Sequence, residues 1–134
     1  TEARASGPSE AEAAFMAARE GNVSALAAAQ KADADSIMAF RDIFGSTSAH
    51  VAAKHGHAAV LRFLHEVGVD LNVATDDFNA STPAHLAAAK GYVNVLQALH
   101  EAGANMEATD RGGNTPLHLA AMNGYVDAVR FLIQ

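Results

Sequence analysis

Seven histidines are the residues of this sequence best able to do chemistry. Imidazole can ligate a metal or act as a general base near neutral pH. Three of the seven, His50, His85 and His118, stand 35 and 33 residues apart. A catalytic group is needed once, whereas these recur with a period, which marks them as scaffold. His55 and His57 flank Gly56 across a turn. Two ligands with no third at useful spacing make a poor zinc site, so this pair reads as solvated or partner-facing. His65 and His100 also share a repeat position and are expected on the surface of an outer helix. No Ser/His/Asp set stands apart from the repeat. Glycines occur singly at helix ends, not as a phosphate-cradling loop. Glu66 and Glu101 read as solvated helix residues. The sequence therefore predicts no catalytic residue, no metal and no cofactor.

The elements that would carry these side chains repeat. Gly45-Ser-Thr-Ser-Ala-His-Val-Ala-Ala-Lys-His-Gly56, Ala80-Ser-Thr-Pro-Ala-His-Leu-Ala-Ala-Ala-Lys-Gly91 and Gly113-Asn-Thr-Pro-Leu-His-Leu-Ala-Ala-Met-Asn-Gly124 align residue for residue. Gly21, preceded by Ala17 and Ala18, lies 35 residues before Gly56 and marks a degenerate fourth copy. A fixed period of this length is the signature of a stacked helical array. Thr47, Thr82 and Thr115 are placed to cap a short first helix. Pro83 and Pro116 follow at the first helical position, and Ser48 is expected to be tolerated in the same place. Gly56, Gly91 and Gly124 permit a left-handed cap. The second helix carries an apolar stripe, Val60, Leu61, Leu64 and then Val95, Leu96, Leu99, and closes at Gly68 or Gly103. The Asp-, Asn- and Gly-rich segments that follow, 69–81 and 104–114, fit extended turns projecting from the stack. Within this frame each periodic histidine is expected to be buried, bonded to the threonine three residues before it and to a neighbouring loop.

Composition narrows the function. Half of the 134 residues are apolar, mostly alanine, and there is no cysteine or tryptophan. Alanine-rich cores require close backbone approach, which suits short, tightly packed helices. A net charge of −6 argues against nucleic acid or an anionic membrane as the main partner. Absence of cysteine rules out disulfides and thiolate metal sites, and favours the cytoplasm or another reducing compartment. No run approaches the length that spans a bilayer, so no membrane insertion is expected. Thr1 to Ala11 show no secretory signal, and a start at Thr fits a trimmed, processed or incomplete chain.

These motifs resemble the ankyrin repeat family, whose pattern is Asp-x-x-Gly-x-Thr-Pro-Leu-His-x-Ala-Ala-x-x-Gly followed by an apolar helix. The copy beginning at Asp110 follows it most closely, with Gly113, Thr115, Pro116, Leu117, His118, Ala120, Ala121 and Gly124. The resemblance implies an all-α solenoid of stacked helix-turn-helix units with projecting hairpin-like loops. The expected divisions are a flexible segment at 1–8, a degenerate N-terminal capping repeat at 9–41 (Ser9 and Glu12 offering a capping box), repeats at 42–76 and 77–109, and a repeat at 110–134 that is incomplete at its end. Steps of 35 place two extra residues in the loops before Thr47 and Thr82. Ala80 stands where glycine is usual, which predicts a non-standard turn. Leu117, Leu119, Val129 and Leu132 would partly face a missing neighbour, so further repeats or a partner chain are expected to pack on the C-terminal face.

What the resemblance implies about function is non-catalytic recognition of another protein along a concave face. Mapped onto this chain, the fingertips are Ile43, Phe44 and Ser46; Phe78, Asn79 and Ser81; and Arg111, Gly112 and Asn114. The inner-helix ends are Arg19 and Glu20, Lys54 and His55, Ala89 and Lys90, and Met122 and Asn123. Ile43, Phe44 and Phe78 are either interface anchors or folded back between fingers. Arg19, Lys54, Lys90 and Arg111 form either a cationic line suited to carboxylates or an ordinary solvated face. Leu64, Asp70 and Asn72 resemble the ankyrin context in which a loop asparagine is hydroxylated, with Asn72 the acceptor. Other roles for such a chain are a structural subunit of a large assembly, or a regulatory domain of a longer enzyme or channel.

Overall fold

The computed structural model describes residues 10–32, 41–42, 45–77 and 79–134. Ile43, Phe44 and Phe78, with the proposed cap residue Ser9, lie outside the described residues. Eight helices and no strand occur among those described: α1 (Glu10–Glu20), α2 (Val23–Ala32), α3 (Ser48–Lys54), α4 (Ala58–Glu66), α5 (Pro83–Lys90), α6 (Val93–Glu101), α7 (Pro116–Met122) and α8 (Val126–Leu132). They pair as four helix-turn-helix units. The odd-numbered helices pack side by side as an inner row, α1 on α3, α3 on α5 and α5 on α7. The even-numbered helices form an outer row behind them.

Helices this short are unstable alone; burial between neighbours holds them. Inner helices bury small residues that let backbones approach: Ala49, Ala52 and Ala53 in α3, Ala84, Ala87 and Ala88 in α5. Outer helices supply the bulk. Val60, Leu61 and Leu64 of α4 and Val95, Leu96 and Leu99 of α6 are all at most 1% exposed. The turn between paired helices has positive φ at Gly21, Gly56, Gly91 and Gly124. At Gly91 a side chain would also collide, since a Cβ would sit 2.6 Å from the Tyr125 ring of the next unit. Gly21 and His57 repeat this contact, likewise at 2.6 Å. Residues 57, 92 and 125 thus form a ladder of rings, each lying over the glycine of the unit before it.

The fingers differ in a way the loop spacing only half predicts. The first and third are closed by a backbone pair spanning the same number of residues, Asp42 N–H to Ser46 C=O (3.1 Å) and Asp110 N–H to Asn114 C=O (2.9 Å). In both, the aspartate Oδ1 accepts the amide of the closing residue. The middle finger closes from Thr75 N–H to Ser81 C=O (2.8 Å) and is two residues longer. Its extra pair therefore lies in the finger itself, whereas that before Thr47 falls upstream of Asp42. Thr75 Oγ1 takes the aspartate's place by accepting from Ser81 N–H (3.0 Å). Asp77 then accepts the Thr75 hydroxyl (2.6 Å) and the amides of Asn79 and Ala80.

Ala80 adopts the left-handed conformation that its glycine counterparts take, with φ +50°. That region costs an L-residue about 1–2 kcal/mol. Ala80→Gly is expected to raise stability by about 0.5–1 kcal/mol; an unchanged or lower urea midpoint contradicts it. Ser48 is tolerated at a cost. It is buried, and its hydroxyl has no hydrogen-bond partner. Thr47 before it is extended, with φ −96° and ψ 177°, as a residue preceding proline must be. Ser48→Pro is expected to add about 1 kcal/mol, read as a higher melting temperature.

Candidate interaction surface

The periodic histidines hold one unit to the next. Thr47 N–H donates to His50 Nδ1 (3.0 Å), so that nitrogen is the acceptor and Nε2 carries the proton. His50 Nε2 donates to the carbonyl of Ser81 in the following finger (3.0 Å). His85 repeats the arrangement, with Thr82 N–H at 3.1 Å and the Asn114 carbonyl at 2.8 Å. Burial holds the His50 imidazole below its ordinary value of 6.5, against the raising effect of its carbonyl partners. Above that value neither folded nor unfolded chain is protonated there. Below it the unfolded chain takes up a proton that the folded chain resists, so stability falls with pH. The melting temperature is expected to drop between pH 7.5 and 5.5, with the His50 ring resonances titrating below 6.5. A ring that titrates at or above 6.5 contradicts this.

These bonds correct the fingertip assignment of Ser81 and Asn114. Ser81 is buried and Asn114 half-buried, and their carbonyls are occupied by histidines, so they are finger bases. His57 is half-buried, and its Nε2 bonds the Arg19 carbonyl at 2.9 Å. His55 and His57 stack with centroids 6.4 Å apart, and no cluster of three or more metal-ligating side chains occurs among the described residues. Glu101 does more than sit in solvent, since it accepts Arg62 of the preceding outer helix at 2.7 Å. His65 and His100 are exposed, with His100 edge-on to Phe131.

Between inner helices and fingers lie two adjoining depressions, of about 250 and 270 Å³. The first is lined by Phe15, Arg19, Asp42, Val51 and Lys54 among others, the second by Thr75, Asp77 and Asn79. Ser46, Lys54 and Leu86 belong to both, so they form one groove. Lys54, His55 and Asn79 are exposed in this groove, and Lys90 is exposed at the end of α5 beside it. The His55 imidazole is pushed below its ordinary value by burial, and then by the charges of Arg19, Lys54, His57 and Lys90. The cations of three successive inner helices thus act on one ring.

Arg111 is exposed on the third finger, and its amide donates to the Asn79 carbonyl (2.9 Å), tying the two fingers together. Met122 is 68% exposed. The Asn123 amide folds back onto the Leu119 carbonyl (3.0 Å). Asn72 is exposed, and its Oδ1 accepts the Asn105 amide of the next loop at 2.7 Å. Residue-by-residue reading missed Phe15, Val51 and Leu86 as groove-floor residues. For Val51 and Leu86 the signal was their recurrence, with Leu119, directly after each periodic histidine.

A family model described as ankyrin repeats (3 copies) matches residues 50–134. The chain belongs to the ankyrin repeat family. No curated protein matches its sequence. The family match begins at His50, and the unit formed by α1 and α2 precedes it. In that first unit Gly21 stands to His57 as Gly91 stands to Tyr125. No described helix of this ankyrin chain is long and apolar enough to cross a membrane.

The last repeat presents its neighbour-facing side to solvent. Ala121 is exposed where Ala53 and Ala88 are buried, and His118 is exposed where His50 and His85 are buried. Tyr125, Val126 and Ile133 are 39%, 59% and 64% exposed. Leu117, Leu119, Val129 and Leu132 are half-buried.

Proposed function

We propose that this chain is a non-catalytic binding module that holds a partner protein in the groove between its inner helices and fingers. Ankyrin repeats are generally protein-protein interaction modules, and the family is typically non-catalytic. The observation that carries the reading here is the continuous depression over three inner helices, with an apolar floor and exposed polar walls. A rigid face of this kind loses little entropy on binding. Its contact residues are Lys54, His55, Asn79, Lys90 and Arg111, with Met122 and Asn123 extending the row; Ile43, Phe44 and Phe78 belong to the same proposal on the fingertips. The test is pull-down from native cells, followed by amide exchange on the complex. Protection across α3, α5 and residues 75–81 supports the reading. Protection confined to the outer helices would sink it.

A second contact has its own support. The exposed His118 and Ala121 lie in step with His50 and His85, which bond the following finger, and with Ala53 and Ala88, which are buried. We propose that this face takes a further helix pair or a partner chain, as it would if the module were part of a larger polypeptide or assembly. Intact mass of the native protein, measured with its co-purifying partners, tests it. A monomer of 13.9 kDa with no stable partner contradicts it. Hydroxylation of Asn72 remains a separate proposal. A mass increment of one oxygen on the peptide carrying Asn72 supports it, and an unmodified peptide from native material rejects it.

A further inference from the structure

The groove carries a charge pattern opposite to that of the chain. Fifteen acidic residues outweigh nine basic ones, yet Arg19, Lys54 and Lys90 stand together at the ends of three adjacent inner helices. The ion pairs found among the described residues are Arg41 with Asp76 and Arg62 with Glu101. None of these three cations has a carboxylate within bonding distance among the described residues. The carboxylates nearby are engaged locally. Asp42 accepts the Ser46 amide (2.9 Å), and Asp77 accepts a hydroxyl and two amides of its own finger. Hydrogen bonding, chiefly from the Thr75 hydroxyl, holds the Asp77 carboxyl below its usual range, so its charge is kept for the finger. His55 lies in the field of the same cations.

Resting on the reading of this groove as the interface, we infer that its partner is an extended acidic protein segment. Its carboxylates pair with Arg19, Lys54 and Lys90, and an apolar side chain enters the depression floored by Phe15, Val51 and Leu86. Packed helices lie about 8–10 Å apart. An extended segment rises about 3.1–3.4 Å per residue, so carboxylates about three residues apart match one repeat step. Nucleic acid fits less well. Its charge is continuous, and Glu20, Asp42 and Asp77 border the cations and would repel the intervening phosphates. Discrete carboxylates avoid them.

The test is selection of a random 12-residue peptide library on the purified 134-residue chain, followed by fluorescence anisotropy with the selected peptides. The expected result is enrichment of Asp or Glu spaced around an apolar residue. Affinity should fall at least ten-fold in the Lys54→Glu, Lys90→Glu double variant, and also fall steeply with added salt. Both positions are exposed helix ends, and circular dichroism checks that the variant stays folded. Selected peptides that protect α3 and α5 from exchange but lack acidic residues would overturn the inference while leaving the groove as the interface. Peptides that protect neither helix would overturn both. Failure to enrich any sequence, or tighter lysine-dependent binding of a single-stranded oligonucleotide, also overturns the acidic-segment assignment.

Discussion

Leu99→Ala is expected to destabilise the chain by about 3–5 kcal/mol, and Leu132→Ala by only about 1–2 kcal/mol. The two leucines occupy the same position of successive outer helices, 33 residues apart. Leu99 is fully buried in α6, with α4 on one side and α8 on the other. Truncating it removes its transfer energy and leaves a cavity that neighbours on both sides prevent from collapsing. Leu132 lies in α8 and is half-buried, so its stem is already wet and the space can be filled by solvent. Urea unfolding of the two variants against the parent measures the difference. Equal effects would mean that the last unit is covered as completely as the one before it.

His85→Ala is expected to cost about 3 kcal/mol, against about 1 kcal/mol for His118→Ala. At position 85 the change orphans three groups: the Thr82 amide, the Thr82 hydroxyl and the Asn114 carbonyl, whose bonds to the ring span 2.8–3.1 Å. The ring is fully buried, and water cannot replace it without opening the seam between repeats. His118 makes the same local bonds to Thr115, at 2.9 Å each, but it is exposed, and water substitutes for a lost partner there. Amide exchange should also report the difference. His85→Ala releases the 110–114 finger as well as the start of α5, whereas His118→Ala affects only α7. Equal destabilisation by both variants would show that the seam bond to Asn114 contributes nothing.

Much of this architecture is legible in the sequence because its signals are local. Thr82-Pro83 and Thr115-Pro116 state where a helix starts, since a hydroxyl cap and a residue without an amide fit only there. Gly56, Gly91 and Gly124 state where it stops. Periodicity identifies the three histidines as scaffold, because a group serving each repeat must recur with it. The groove was half legible. The inner-helix ends located Lys54, His55 and Lys90, but the floor of Phe15, Val51 and Leu86 depends on which side of each short helix the fingers cover. The His57 bond to the Arg19 carbonyl was not legible, because the two lie 38 residues apart.

By itself the sequence determined the period, the helix limits, the threonine–histidine caps and the family, all of which follow from bonds made within one repeat. Only the tertiary structure decided what depends on the neighbouring repeat. It buried His50 and His85 but exposed His118, laid Tyr125 over Gly91, closed the long middle finger through Thr75, and gathered three cations from separate helices around His55. Near-identical repeat units meet different surroundings along a stack, and burial is a property of those surroundings.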